Sequence, residues 1–144
     1  MDRPWWWLWS HCPGLGAARI RALRSVACEW SVGPAELWSW PTERLRTLLS
    51  WPESCWSSLE RFRRLHGKAP QINVPDNVLL PGDRQWPQGV DRLDRPPVVL
   101  HHCGDPLLLQ ELQQQQAVAV VGTRAASAHG LAVTEDLGRT LASM

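Results

Sequence analysis

Several residue types are scarce in this sequence, and each shortage excludes a class of protein. There is no tyrosine, one phenylalanine and a single lysine, Lys68, so nearly all positive charge is arginine. No stretch approaches the ~20 apolar residues that cross a bilayer, and residues 1–4 lack the layout of a signal peptide. The four cysteines are scattered without a Cys-x-x-Cys pair, which favours a reducing cytoplasm over a disulfide framework. Residues 101–103, His-His-Cys, have no second ligand pair at suitable spacing, so no metal site is predicted.

The composition is that of a small globular protein. A hydrophobic share of 44% argues against disorder, and a net charge of +1 argues against a strongly basic nucleic-acid tail. The ten tryptophans are interpreted as core residues, with base stacking as the alternative. Local basic faces remain open at two arginine clusters: Arg19, Arg21 and Arg24, and Arg61, Arg63 and Arg64.

Residues 1–67 are predicted to form a small all-α domain of five short helices. Pro4 suits the first turn of a helix that Pro13-Gly14 ends, and a second helix begins near Ala17. The apolar face predicted for the second helix comprises Ile20, Leu23, Ala27 and Trp30. The remaining predicted boundaries are Pro34 and Ser39 for the third helix, Thr42 as cap of the fourth, a capping box over 50–53, and Gly67 as the final stop.

A linker is predicted at 68–78, followed by the beginning of a Rossmann-like α/β domain at 79–144. Short strands are expected at 78–80 and 98–100, and 105–116 is expected to be helical or irregular, with a solvated glutamine run at its end. The apolar run Ala117–Val121 predicts a buried strand. A glycine turn and a helix after Ser127 follow it. Together they form the first crossover of a Rossmann-like fold, where phosphate is usually held.

The turn between the first two helices is similar to the helix-hairpin-helix motif of DNA-binding proteins. Gly14 and Gly16 let the backbone turn sharply, and amides at the next helix N-terminus can hold a phosphate without reading sequence. Arg19 adds a possible ionic contact. A tight interhelical turn with solvated arginines remains the alternative.

Five segments of the chain resemble landmarks of the DNA-processing protein A family, also called DprA or Smf, and they follow one another in the family's order. The strongest is Val-Gly-Thr-Arg-Ala-Ala-Ser-Ala-His-Gly at 121–130, which resembles the family's hallmark Val-Gly-(Ser/Thr)-Arg-x-x-Ser-x-(Tyr)-Gly. Trp86 and His129 stand where the family usually has tyrosine. The other landmarks are residues 13–16, 83–87, 96–100 and 104–105.

The resemblance implies a cytoplasmic protein that binds single-stranded DNA and helps load the RecA recombinase during natural transformation. It implies no catalytic residue, no cofactor and no membrane association. Amides after Gly122 and the hydroxyls of Thr123 and Ser127 are expected to surround one phosphate, which Arg124 grips bidentately. Gly130 is expected to permit close approach of helix and strand.

The family continues with a second glycine-rich loop and further strands that carry DNA contacts and the dimer surface. The chain is therefore expected to be an N-terminal fragment with weak phosphate affinity, and a homodimer is expected only of the full-length protein. Two other functions stay open. One is a Rossmann-type nucleotide-handling enzyme, a lysine-decarboxylase-like phosphoribohydrolase, although its Pro-Gly-Gly-x-Gly-Thr loop does not occur in the sequence. The other is a protein-interaction module in residues 1–67.

Overall fold

Helices make up most of the regular secondary structure in the described part of the chain, which also holds a single two-stranded sheet. The computed structural model describes residues 2–111 and 118–143. These two ranges fall in two separate compact units. The architecture fits a helical domain followed by the start of an α/β domain. None of the helices in the described ranges combines the length and the apolar content that a membrane span requires.

Five helices occupy the first 66 residues, as predicted. Proline stands in the first turn of the first and third, where its missing N–H costs no hydrogen bond. Gly67 ends the fifth with a φ of +69°, a conformation that glycine adopts without strain. The helices are α1 (Arg3–Ser10), α2 (Ala17–Glu29), α3 (Pro34–Ser39), α4 (Thr42–Leu48) and α5 (Glu53–His66).

The capping residues predicted for the fourth and fifth helices are wrong. Thr42 is the first residue of α4 and is buried, and Pro41 occupies the cap position without a side-chain hydrogen bond. The capping box is absent as well, because α5 begins at Glu53 directly after Pro52. A proline has no side-chain acceptor, so its fixed φ sets these starts where a hydroxyl was expected.

The helical core is rich in tryptophan, which confirms the core interpretation. Trp9 is fully buried, and its indole Nε1 donates to the Pro34 carbonyl at 3.0 Å. Trp30 is the exception: it follows the end of α2 and is 46% exposed, so its predicted place on the apolar face of α2 is wrong. The buried tryptophans are Trp6, Trp9, Trp38, Trp40, Trp56 and Trp86.

The two short strands lie near their predicted positions and pair with each other. β1 (Val78–Leu79) runs antiparallel to β2 (Leu100–His101), with Leu79 opposite Leu100. Val78 and Leu80 belong to the same buried cluster as the helices. The end of the predicted linker therefore packs with the bundle, and the domain division at 68–78 stays a prediction. A 3-10 turn at Gln88–Arg92 and the short helix α6 (Leu108–Glu111) complete the described part of this unit.

Arg3 attaches this segment to the first helix. Its Nε lies 3.0 Å from an Asp83 carboxylate oxygen, and its Nη2 donates to the Val78 carbonyl at 2.7 Å. The same Asp83 oxygen accepts from the Leu80 amide at 2.9 Å. Because an arginine can serve a carboxylate and a carbonyl together, one side chain holds β1 and the following turn against α1.

The second unit consists of an exposed loop and the helix α7 (Ala128–Ala142), which confirms the helix predicted after Ser127. The predicted strand is not formed in its described part, residues 118–121, where Val121 is 92% exposed. Ala117 and the glutamine run lie outside the described residues. A strand requires hydrogen-bonded neighbours, and in the described ranges β1 and β2 pair only with each other.

Leu80→Ala tests whether the segment after the helices belongs to the core. Leu80 is 2% exposed, so its truncation is expected to lower the free energy of unfolding by about 2–5 kcal/mol. Leu93→Ala is the matched control, because Leu93 is 56% exposed and its loss is expected to cost less than about 0.5 kcal/mol. Urea unfolding of the whole chain, followed by tryptophan fluorescence, gives both values. Equal midpoints for the two variants would contradict the packing described.

Candidate nucleic-acid interface

The predicted phosphate loop has two hydroxyls that organise its own backbone. Thr123 Oγ1 accepts from the Ala125 amide at 3.3 Å. Ser127 Oγ accepts from the Gly130 amide at 3.2 Å and so caps α7. Each hydroxyl keeps its own O–H free to donate to an anion. The structure therefore brings Thr123 and Ser127 into one loop, with Gly130 inside the first turn of the helix.

Arg124 lies exposed in the middle of this loop. Among the described residues no carboxylate is within ion-pair distance of its guanidinium, whereas Arg139, further along α7, pairs with Glu135 at 2.8 Å and Asp136 at 3.1 Å. Gly122 has open space where a Cβ would stand. The loop thus presents a cation next to a helix N-terminus, a combination that suits an anion.

The hairpin between α1 and α2 is a tight turn, and its two glycines differ in backbone conformation and in the space around them. Gly14 has a φ of +85°, and a Cβ there would stand 3.6 Å from Cys55 Sγ. Gly16 precedes α2 with extended backbone and open space around it. Arg19 donates to the Gly14 carbonyl at 2.7 Å, so its guanidinium already contacts the turn.

The other arginines of α2 turn toward the chain itself. Arg21 donates to the Pro96 carbonyl at 2.5 Å and Arg24 to the Pro81 carbonyl at 2.7 Å. The Arg24 guanidinium also lies 4.8 Å from the Trp6 ring centre, and burial lowers its pKa. These two side chains attach the segment after β1 to α2, which spacing along the helix did not indicate.

The second arginine cluster divides in the same way. Arg61 and Arg64 are exposed, but Arg63 turns inward, and its Nη1 and Nη2 donate to the Trp40 and Leu37 carbonyls at 2.9 Å each. Sequence reasoning left a basic face open for all three arginines. The signal that it missed is helical: Arg63 follows Leu59, a buried residue, by one turn of α5.

The described residues contain no group of three His, Cys, Asp or Glu side chains that could hold a metal ion. The ring nitrogens of His102 face the backbone carbonyls of Gly104 at 3.1 Å and Asp76 at 3.3 Å. All four cysteines are free thiols. Burial raises the pKa of Cys12 to about 12, so this thiol is a poor nucleophile at neutral pH.

The second half of the chain has a recognisable family. Residues 77–144, which run from β1 through the exposed loop to α7, match the family model of DNA recombination-mediator protein A. This segment therefore carries a domain of the DNA recombination-mediator protein A family, the DprA family, as the sequence motifs predicted. The match implies a role in DNA recombination. Comparisons with curated proteins and with solved structures gave no match.

Gly14→Ala tests the hairpin. A non-glycine residue at a φ of +85° is expected to lower the free energy of unfolding by about 1–2 kcal/mol. Gly16→Ala is the matched control and is expected to stay within about 0.5 kcal/mol of wild type, because reduced chain entropy offsets a weaker cap. Urea titration of both variants measures the difference. A Gly16 variant as destabilised as the Gly14 variant would show that the turn conformation is not the constraint.

Proposed function

We propose that this protein binds single-stranded DNA through its phosphates and helps load the RecA recombinase onto it during natural transformation. The observation that carries the proposal is the loop of the family-matched segment. There Arg124, which has no acidic partner among the described residues, stands between two hydroxyl residues at the N-terminus of α7. In this proposal residues 79–144 contribute to a Rossmann-like DNA-binding domain, and the protein has no catalytic role.

The phosphate would be held by three kinds of donor from one short segment. The hydroxyls of Thr123 and Ser127 already accept from local amides, so their protons can point outward. The first amides of α7 have no intrahelical partner and carry the positive end of the helix dipole. Arg124 supplies the formal charge and a bidentate fork. Such contacts do not read base identity, which fits a protein that must accept any sequence.

The hairpin of the first unit is proposed as a second phosphate contact of the helix-hairpin-helix type. Gly16 precedes α2, whose first two amides, those of Ala17 and Ala18, are beyond the reach of intrahelical carbonyls. Arg19 contributes a positive charge to the same turn, because its guanidinium contacts the Gly14 carbonyl. The contact would add affinity without sequence preference.

Arg124→Ala is expected to weaken binding of a fluorescent oligothymidylate by about tenfold, because a charge-assisted contact to phosphate is lost. The slope of log affinity against log salt should fall by about one. Arg139→Ala is the matched control, since Arg139 is also exposed but already paired with acidic neighbours, and it should change affinity less than about twofold. Fluorescence anisotropy at several salt concentrations measures both variants. Salt-independent binding, or equal losses in the two variants, would overturn the proposed site.

The RecA part of the proposal has its own test. The protein is expected to shorten the lag of RecA ATP hydrolysis on single-stranded DNA covered by single-strand-binding protein. Arg124→Ala should lose most of this effect, and Arg139→Ala should keep it. A lag that is unchanged by wild-type protein that binds DNA would contradict loading while leaving DNA binding intact.

A further inference from the structure

A cleft in the helical unit carries positive charge that the proposed function does not use. Its volume is about 540 Å³, and it lies where the end of α3 and the start of α4 meet the C-terminal end of α5. This size is within the range of small-ligand sites. Its apolar wall is formed by Trp38, Trp40 and Pro41, and its basic side chains are Arg63, Arg64 and Lys68.

Arg63 forms no salt bridge with the residues that the structure describes. Its two terminal nitrogens donate to backbone carbonyls, while its Nε is buried without a hydrogen-bond partner in the described part of the chain. No carboxylate of the described residues is within ion-pair distance of the guanidinium. Carbonyl dipoles and the nearby ring of Trp38, at 5.5 Å, only partly compensate a buried cation. An anion in the cleft would complete the compensation.

Two further cations line the same cleft from the exposed side. Arg64 and Lys68 are both exposed, and Lys68 is the only lysine in the sequence. None of the side chains that line the cleft is acidic. Thr42 adds a hydroxyl donor to the lining, whereas the Ser39 O–H already donates to the Glu36 carbonyl at 2.7 Å. Three cations, the Thr42 hydroxyl and an indole wall form a set of groups suited to a phosphate ester that carries an organic group.

We propose that this cleft binds a phosphate of single-stranded nucleic acid, as an anchor on the helical unit additional to the loop at 122–130. The charge of the cleft by itself indicates a phosphate ester as ligand. That the ester belongs to single-stranded nucleic acid rests on the proposed function. Trp38 and Trp40 are each only 5% exposed, so the wall contacts sugar or base edges and offers no open ring face for stacking. The anchor would therefore hold the backbone without base preference.

The indole Nε1–H of Trp38 is a local reporter, because it donates to the Gly67 carbonyl at 2.9 Å on the cleft lining. Trp56 is the internal reference, since its indole Nε1 donates to Trp51 and lies outside the cleft lining. A 5′-phosphorylated hexathymidylate added to the whole chain is expected to shift the Trp38 indole resonance in ¹H–¹⁵N spectra, with the Trp56 resonance unchanged. An unchanged Trp38 resonance at saturating oligonucleotide would overturn the proposal.

The variant Arg64→Gln with Lys68→Gln removes the two exposed cations and leaves the buried Arg63 in place. It is expected to weaken the Trp38-reported affinity at least about fivefold, because two phosphate contacts are lost. Arg61→Gln is the control for the Arg64 substitution, because Arg61 is an exposed arginine of the same helix that lies outside the cleft. It is expected to change the Trp38-reported affinity less than about twofold. Unchanged Trp56 and Trp9 indole resonances in the free variants verify the fold. Equal losses for variant and control would overturn the site.

Two further arms separate this proposal from the proposed function and from a free-nucleotide site. In an Arg124→Ala background, a persisting Trp38 shift supports the cleft independently of the loop, and its disappearance would overturn a separate anchor. Thymidine monophosphate and inorganic phosphate are titrated in parallel. A Trp38 shift with either small anion at an affinity equal to that of the oligonucleotide would overturn the nucleic-acid assignment in favour of a free phosphate ligand.

Discussion

The packing of the helical unit depends on how the guanidinium of Arg63 meets the end of α3. A short helix leaves carbonyls without intrahelical partners at its C-terminus. Arg63, from α5, donates to the Leu37 carbonyl, which also accepts from the Trp40 amide, and to the carbonyl of Trp40, the residue that follows α3. The same guanidinium lies 5.2 Å from the ring centre of Trp9 in α1 and 5.5 Å from that of Trp38 in α3. One side chain therefore sets the distance between three helices. Burial lowers its pKa to about 10, so it stays charged at neutral pH.

Arginine takes this structural role elsewhere in the first unit. Arg3 and Arg24 reach backbone carbonyls of β1 and of the turn after it, and Arg21 reaches the Pro96 carbonyl shortly before β2, so that the three side chains attach this segment to the first two helices. A planar guanidinium can donate in several directions while its face lies over an indole, which a lysine ammonium cannot do. The near absence of lysine and the abundance of tryptophan thus fit a core in which guanidinium groups pack against indole rings and backbone carbonyls. Arg64 and Lys68 lie outside this core as exposed charges near Arg63.

The predictions that held concern features fixed by the local backbone. Pro34 and Gly67 mark a helix start and a helix end, because proline fixes φ and glycine tolerates a positive φ. Ser127 caps α7 through its own hydroxyl. The strand predicted to end at Val121 did not form in its described part, because strand pairing depends on partners distant in sequence. Thr123 and Ser127 each bond the local backbone of the loop before α7, and their role in DNA binding stays a prediction.

The sequence by itself determined five helices in the first 67 residues, the order of the family landmarks and the position of the loop before α7, because each follows from short-range backbone preference or a contiguous motif. The tertiary structure alone decided which arginines face inward, where β1 and β2 pair, and that the ends of α3 and α5 enclose a cleft. Arg61 and Arg63 show the reason. They are identical in chemistry and two residues apart, and only the packing of α5 against α1 and α3 buries one and leaves the other in solvent.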